Sequence, residues 1–392
     1  MYVVQFAPYY PPYLGGQETY IAQLSRELVR SGHRVRVVTS NYPKGAAYEK
    51  SVDGVEICRF ACFGRPLRNP ILPGLLISHH AIGADLIHAH NIHSFSSNVA
   101  ALRRRFGKTP LVMTSHGRLD FGARLPNQLL KLYIHTVGRF TVKSADRLIV
   151  LTPTEKTRIL QQTGMNAEKI SVIPVGIDLE HWDCLREEAR KKWEAALFPG
   201  KIMILVATQL ILRKGIQYLI GAMPKVIKQF PNVLLAIAGN GSDEGRLRRQ
   251  VVELGLEDTV FFLGRLSGMD LARAYDSASL FVLPSLGEGQ PPCILESWSF
   301  SKPVLATNIE GVRDYFSEAA RLVEPASSSA LASGILEILG DQVLARRMGN
   351  QGRQLVERFT LQRMTRLVIN DYYRALGASS LGGSADSFTP SG

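Results

Sequence analysis

Apolar positions along this chain follow two alternating rhythms. Short runs such as YVVQFA (2–7) and RVRVVTS (34–40) have the length and composition of buried strands. Between them QETYIAQLSRELVRSGH (17–33) spaces its apolar residues three and four apart, as an amphipathic helix does, and stops at Gly32. Together they make one βαβ unit with a Gly-Gly turn at its first crossover. Further strands are predicted at 54–60, 85–89, 110–115, 147–151 and 170–173, with helices between several of them, and PVGID (174–178) closes the series. A second series opens with KIMILVATQ (201–209), followed by helix 214–230, strand 232–241, helix 244–255, strand 259–264 and helix 268–277. Strand SLFVLPS (279–285), a helix carrying Glu296 and strand PVLAT (303–307) complete it. Helical patterns at 326–357 and 360–376 follow, and 377–392 reads as a disordered tail. Two successive βα series predict an α/β fold of two doubly wound parallel-sheet domains facing each other across a cleft, 1–178 and 179–359, with a linker over roughly 176–198.

Composition narrows the class. With 392 residues, 45% apolar and 20% charged, the chain has material for two well-filled cores. No run of eighteen or more uncharged apolar residues occurs, so no transmembrane helix is expected. The N-terminus lacks a basic segment and breaks early into Pro and Gly, unlike a signal peptide, which predicts a cytoplasmic protein. Four scattered cysteines (Cys58, Cys62, Cys184, Cys293) form no CxxC pair and argue against a zinc site. The net charge of +12 gathers at Arg103-Arg104-Arg105 with Lys108, at Arg190-Lys191-Lys192, and at Arg246, Arg248 and Arg249. These clusters read either as solvated helix ends or as attraction to phospholipid head groups, nucleic acid or phosphorylated substrates. No aromatic-basic platform supports nucleic acid. The apolar ILPGLLI (71–77) with Arg103–Lys108 instead predicts peripheral docking on an anionic membrane surface.

In open α/β sheets ligands bind beyond the carboxyl ends of strands, so the residues just after each strand carry the candidate chemistry. Gly15-Gly16 precede the first helix, where backbone N–H groups and the helix dipole suit a phosphate, although a tight turn alone also explains them. His116 ends LVMTSHG and is either a satisfied structural residue or a polar group facing the cleft. His88 and His90 sit at strand spacing and, with His93, raise a metal reading that lacks a carboxylate partner. Lys214 opens RKGIQYLIGA as the first turn of a helix, a place unfavourable for a cation unless an anion binds there. In PSLGEGQPPCILE, Glu288 ends a loop, Pro291 stands near the first position of the next helix, and Glu296 lies further along it. Carboxylates so placed accept hydrogen bonds from sugar or ribose hydroxyls, or merely complement a dipole and a surface.

Taken together, LGGQE (14–18), DLIHAH (85–90), SHG (115–117), IPVGID (173–178), Lys214-Gly215, AGNG (238–241), FLGRL (262–266) and PSLGEGQPPCILE (284–296) resemble glycosyltransferase family 4, over nearly the whole chain. The resemblance implies a GT-B fold of two Rossmann-like domains, with helix 360–376 crossing back to the first, and sugar transfer with retention from a nucleotide donor such as a UDP- or GDP-sugar. It places Lys214 and the backbone of Gly16 on the diphosphate, Glu288 and Gly289 at the donor sugar, Glu296 on the ribose and His116 near the transferred sugar. Glu18 falls on the acceptor side, and His116, Glu288 and Lys214 are the catalytic candidates. The acceptor is expected to be a glycan or a lipid-linked group. No Asp-x-Asp triplet is present, so neither metal nor other cofactor is expected. Where the family commonly has Gly-Arg, this chain reads Thr208-Gln209, so Gln209 brings no cation to the donor and Arg213 is the candidate partial substitute. Pro291 occupies a place where many members have Gly. A nucleotide-sugar epimerase and a non-catalytic nucleotide-sugar-binding subunit stand as the alternative functions.

Overall fold

The structure is a computed structural model describing residues 1–378 apart from 14, 44–47, 51–52, 118–127, 129–131 and 194–195. Leu14 of the first motif and residues 379–392 of the expected tail therefore lie outside the described residues. The chain divides into two compact units, Met1–Gly176 with Leu361–Gly392, and Ile177–Thr360.

The first unit carries strands β1 (Tyr2–Phe6), β2 (Arg34–Ser40), β3 (Tyr48–Lys50), β4 (Glu56–Phe60), β5 (Leu86–His90), β6 (Leu111–Thr114), β7 (Arg147–Val150) and β8 (Ile170–Val172). They form one sheet in the order β3-β4-β2-β1-β5-β6-β7-β8. Every pairing is parallel except that of β3, a strand the apolar pattern does not signal. The chain steps outward from β1 in one direction and then resumes on its other side at β5, so the order reverses between them, the place where such sheets open for ligands. Alternation along the strands serves two cores. Val3, Val35, Leu86 and Val112 pack with the helices Gly16–Arg30 and Leu361–Ala375, and Val4, Val38, Ile87 and Met113 pack with Phe95–Phe106 on the other face. Leu361, Met364, Val368 and Tyr372 bring the C-terminal helix into the first of these cores.

The second unit is a parallel sheet of β9 (Ile202–Ala207), β10 (Val233–Ala238), β11 (Val260–Gly264), β12 (Leu280–Leu283), β13 (Val304–Thr307) and β14 (Ala320–Val323), in the order β11-β10-β9-β12-β13-β14. Here the reversal falls between β9 and β12. Helices Ile216–Gln229 and Ser328–Gly340 cover a core built on Ile204, Val206, Leu235 and Val282.

The expected linker over 176–198 contains a helix, Leu179–Lys192, capped by Asp178, whose side chain accepts from the His181 N–H. Only Ala189 of this helix is buried, so it has almost no apolar stripe to read. Among the described residues, no helix is long and apolar enough to cross a membrane.

Candidate active site

Candidate residues named from the sequence occur in each unit. In the second, the loop after β9 is pinned to its neighbours by glycines. Thr208 and Leu210 donate their N–H groups to the carbonyls of Ala238 and Asn240, both at 2.9 Å. A Cβ on Gly239 would stand 1.8 Å from Thr208 O, so only glycine permits that approach. Gln209, between the two anchored residues, is exposed. Lys214 is not in the first turn of a helix, as the sequence suggests. It closes a 3₁₀ turn, Leu212–Lys214, and Gly215 (φ 66°) then turns the chain into the helix Ile216–Gln229. The extra turn arises because Gly215 backs onto the loop after β12, where its Cβ would lie 1.9 Å from Pro284 O. Leu286 N–H donates to Arg213 O at 2.8 Å and ties the same two loops together.

This junction brings three charges together. Lys214 Nζ donates to Glu288 Oε1 at 2.6 Å, and Ser285 Oγ donates to the same oxygen at 2.6 Å. Arg213 Nη1 reaches Glu288 Oε2 at 3.2 Å and also donates to the carbonyl of Gly287. The Glu288 side chain is 7% exposed. Burial alone would raise its carboxyl, but the charges of Lys214 and Arg213 and the Lys214 and Ser285 hydrogen bonds hold it below the usual range. Glu288 is therefore a buried, ionised acceptor clamped by two cations. Gly289 follows, and its carbonyl lies 1.7 Å from where a Cβ on Gly311 would be, so the 288–289 loop rests on that glycine.

Glu296 stands apart from this cluster. It lies in the helix Pro292–Ser299, with Pro291 at the N-cap and Pro292 as first helical residue, one place later than the sequence suggests. Tyr275 Oη donates to its Oε2 at 2.7 Å. Burial pushes the Glu296 carboxyl up, only partly opposed by that bond. Tyr275 and Ser285 are the partners that sequence reasoning missed; Ser285 sits inside the quoted motif, whereas nothing local marks Tyr275.

In the first unit, Gly15 caps the helix Gly16–Arg30 without any side-chain cap. A Cβ on Gly15 would come within 2.4 Å of Glu18 Oε2, whereas one on Gly16 would meet nothing, so packing does not explain Gly16. Glu18 is buried, and burial pushes its carboxyl up to about 7, against the pull of its own N–H. His116 follows β6 with the Tyr20 ring edge-on at 5.1 Å, and burial lowers its imidazole to about 3. At neutral pH it is an uncharged hydrogen-bonding group. His88 and His90 are wholly buried and engaged: His88 with Tyr372 Oη at 2.6 Å and Thr114 Oγ1 at 2.7 Å, His90 with Gln5 Oε1 at 3.0 Å and His116 Nε2 at 3.3 Å. This is the structural alternative for those two histidines. Among the described residues, no group of three or more His, Cys, Asp or Glu side chains is arranged to hold a metal.

Much of the basic charge is used within the fold. Arg103 donates to the carbonyls of Leu75 and Ser78, and Arg104 pairs with Asp146 at 2.6 Å. Arg190, Arg246 and Arg248 pair with Asp276, Asp243 and Glu244. Arg105 and Lys108 remain exposed.

Comparison with known proteins gives this geometry a class. The Glycosyltransferase Family 4 model matches residues 14–181 and the Glycosyl transferases group 1 model matches residues 187–355. The chain is 24% identical over 365 residues to the phosphatidylinositol N-acetylglucosaminyltransferase gpi3 subunit of Schizosaccharomyces pombe, covering 88% of this chain and 75% of that one. Among solved structures, sucrose-phosphate synthase from Thermosynechococcus elongatus superposes with a TM-score of 0.77 at 25% identity, over 96% of this chain and 98% of the other. Anabaena HepE, solved in complex with UDP-glucose, shares the fold with a TM-score of 0.75 at 19% identity, over 94% and 98%. Two parallel-sheet α/β units with these neighbours define a GT-B glycosyltransferase. The chain belongs to glycosyltransferase family 4 and is a transferase.

Proposed function

We propose that the protein is a retaining enzyme that moves a hexose-type sugar from a UDP- or GDP-sugar to a glycan or lipid-linked acceptor, in cell-surface glycan or glycolipid synthesis. The observation that carries this reading is the clamp of Arg213 and Lys214 on Glu288 at the carboxyl ends of β9 and β12. Transfer breaks the bond from the anomeric carbon to the diphosphate oxygen, which keeps the electron pair. A new bond forms on the same face to the acceptor hydroxyl, whose proton is released. Negative charge therefore grows on the leaving diphosphate, where Lys214, Arg213 and the Gly16 backbone N–H complement it. Glu288, held ionised, accepts from the donor-sugar hydroxyls together with the Gly289 backbone, and Glu296 accepts from the ribose. His116 meets the transferred sugar and Glu18 serves the acceptor. Gln209 adds no charge, and no metal takes part. The UDP-glucose bound to HepE supports the donor class, and the phosphatidylinositol in the name of the yeast relative supports a lipid-borne acceptor.

A thermal-shift screen against UDP, GDP, ADP and their sugar conjugates, with and without magnesium, tests this. A ligand at a hundred times its dissociation constant stabilises by about 2.7 kcal/mol. The expected result is a shift with one nucleotide, independent of magnesium and abolished in Lys214→Ala. A magnesium-dependent shift would overturn the metal-free reading, no shift at all would overturn the donor reading, and a shift without transfer to any acceptor would leave the non-catalytic nucleotide-sugar-binding subunit. Release of altered sugar without any acceptor would identify an epimerase.

Docking on the inner face of the cytoplasmic membrane completes the proposal. Leu76 (51% exposed) and Ile77 (81%) lie on the segment that Arg103 ties to the helix Phe95–Phe106, whose end carries Phe106 (83%), with Arg105 exposed one residue before it. Apolar side chains beside basic ones suit an anionic bilayer. Co-sedimentation with anionic vesicles at low salt is expected, and its absence would point to a soluble acceptor.

A further inference from the structure

β1, β5 and β6 run side by side in register, with Gln5 opposite His88 and His90 opposite Thr114. Alternation sends Val3, Leu86 and Val112 into the core beneath the helices Gly16–Arg30 and Leu361–Ala375. Gln5 and His90 lie on that same face, two and four residues further along their strands, and are wholly buried in it. Polar groups in such a place must bond one another, and the order of their bonds has a direction.

A neutral imidazole has one N–H and one bare nitrogen. Burial and the neighbouring histidines hold His90 neutral, and burial does the same for His116. An amide oxygen can only accept, so Gln5 Oε1 takes the N–H of His90 Nε2 at 3.0 Å. His90 Nδ1 is then bare and accepts the N–H of His116 Nε2 at 3.3 Å. His116 keeps a lone pair on Nδ1, to which no described residue donates. Among the described residues the buried Gln5 amide nitrogen has no partner, so none of them competes at that end of the amide with its bond to His90.

We propose that Gln5 and His90 are positioning residues that fix His116 in the tautomer protonated at Nε2, so that its bare Nδ1 accepts a hydrogen bond from a hydroxyl of the transferred sugar. This rests on the reading above that His116 meets that sugar. Neither Gln5 nor His90 touches substrate; both act through His116. The fixed tautomer makes His116 an acceptor only, which selects a sugar that carries a hydroxyl donor at that point.

The relay is read directly in two-bond proton–nitrogen correlation spectra of the full chain labelled with 15N-histidine, the His116 signals being those lost in His116→Asn. The expected pattern is a protonated Nε2 and a bare Nδ1 in the wild type, mixed tautomers in Gln5→Leu, and an unchanged pattern in His88→Gln, which disturbs the same core outside the relay. In titrations with the nucleoside diphosphate and the sugar conjugate selected by the thermal screen, Gln5→Leu should weaken the conjugate about tenfold and leave the diphosphate unchanged. Wild-type His116 protonated on Nδ1 overturns the proposal, even if Gln5→Leu fails to fold. The expected tautomer with undiminished conjugate binding in Gln5→Leu overturns its role at the sugar. A wild type that binds no conjugate overturns the donor reading instead, and the same titration shows it.

Discussion

Glu288 is held by Lys214, Arg213 and Ser285, and Glu296 by Tyr275. That difference separates their work. Glu288 is kept ionised by cations that a diphosphate would also engage, whereas Glu296 is lifted by burial and has bonding capacity left for hydroxyls. A hydrogen bond to a charged group is worth about 1.5–3 kcal/mol. Glu296→Ala is therefore expected to raise the dissociation constant of the donor roughly tenfold to a hundredfold by calorimetry, and an unchanged constant would remove Glu296 from the site. Lys214, Glu288 and Glu296 stood out as candidates in the sequence because each follows a predicted strand in a compact motif, although the 3₁₀ turn that ends at Lys214 was not signalled. Tyr275 was not, because it joins Glu296 from a separate helix 21 residues earlier.

Between residues and units stand the turns, and the 212–215 turn decides where Lys214 points. Gly215→Ala forces a side chain into a left-handed conformation, costing roughly 1–2 kcal/mol, and drives its Cβ onto Pro284 O. The expected outcome is a lower Tm together with loss of the nucleotide-induced shift, because Lys214 and Arg213 leave Glu288. A lower Tm with the shift intact would show that the turn matters for stability alone. Strong periodicity made most helices and strands readable, including Arg34–Ser40 and Gly268–Ser277, where expected and observed bounds coincide. Elements with little apolar signal escaped: the helix Leu179–Lys192, which buries one alanine, and β14, with only Ala320 buried.

At the scale of the whole molecule, neutral histidines in the first unit couple stability to pH. Burial lowers His88 and His116 to about 3 and His93 to about 4, from 6.5. Below about pH 6.5 the unfolded chain takes up protons at these rings while the folded one does not. Their contribution is thus complete above pH 6.5 and is lost as pH falls towards 4 and 3. Each ring contributes about 1.4 kcal/mol per pH unit in that window. Glu18, raised from 4.5 to about 7, acts in the opposite sense, its contribution being lost as pH rises through that interval. Glu296, also raised by burial, acts in the same sense as Glu18, and His90, lowered like the other rings, acts with them. Two carboxyls do not offset four imidazoles, so the urea midpoint should fall between pH 6.5 and 5. A midpoint that is flat or rising towards pH 5 would contradict the buried, neutral state of these rings. The first unit also depends on a segment far from it in sequence, since Asp371 meets Arg147 at 2.9 Å and Tyr372 meets His88 at 2.6 Å.

By itself the sequence determined the alternation of strands and helices, the two series, and the segments after strands that carry Gly16, His116, Lys214, Glu288 and Glu296. These follow from periodicity and turn chemistry, which act over a few residues and so can be read locally. Only the tertiary structure decided that Arg213 joins Lys214 on Glu288, 75 residues away, that Gln5 and His90 bond each other across 85, and that Tyr372 closes on His88 across 284. Such partners are chosen by sheet order and register, and a one-residue slip of β5 against β1 would turn both histidines to the opposite face.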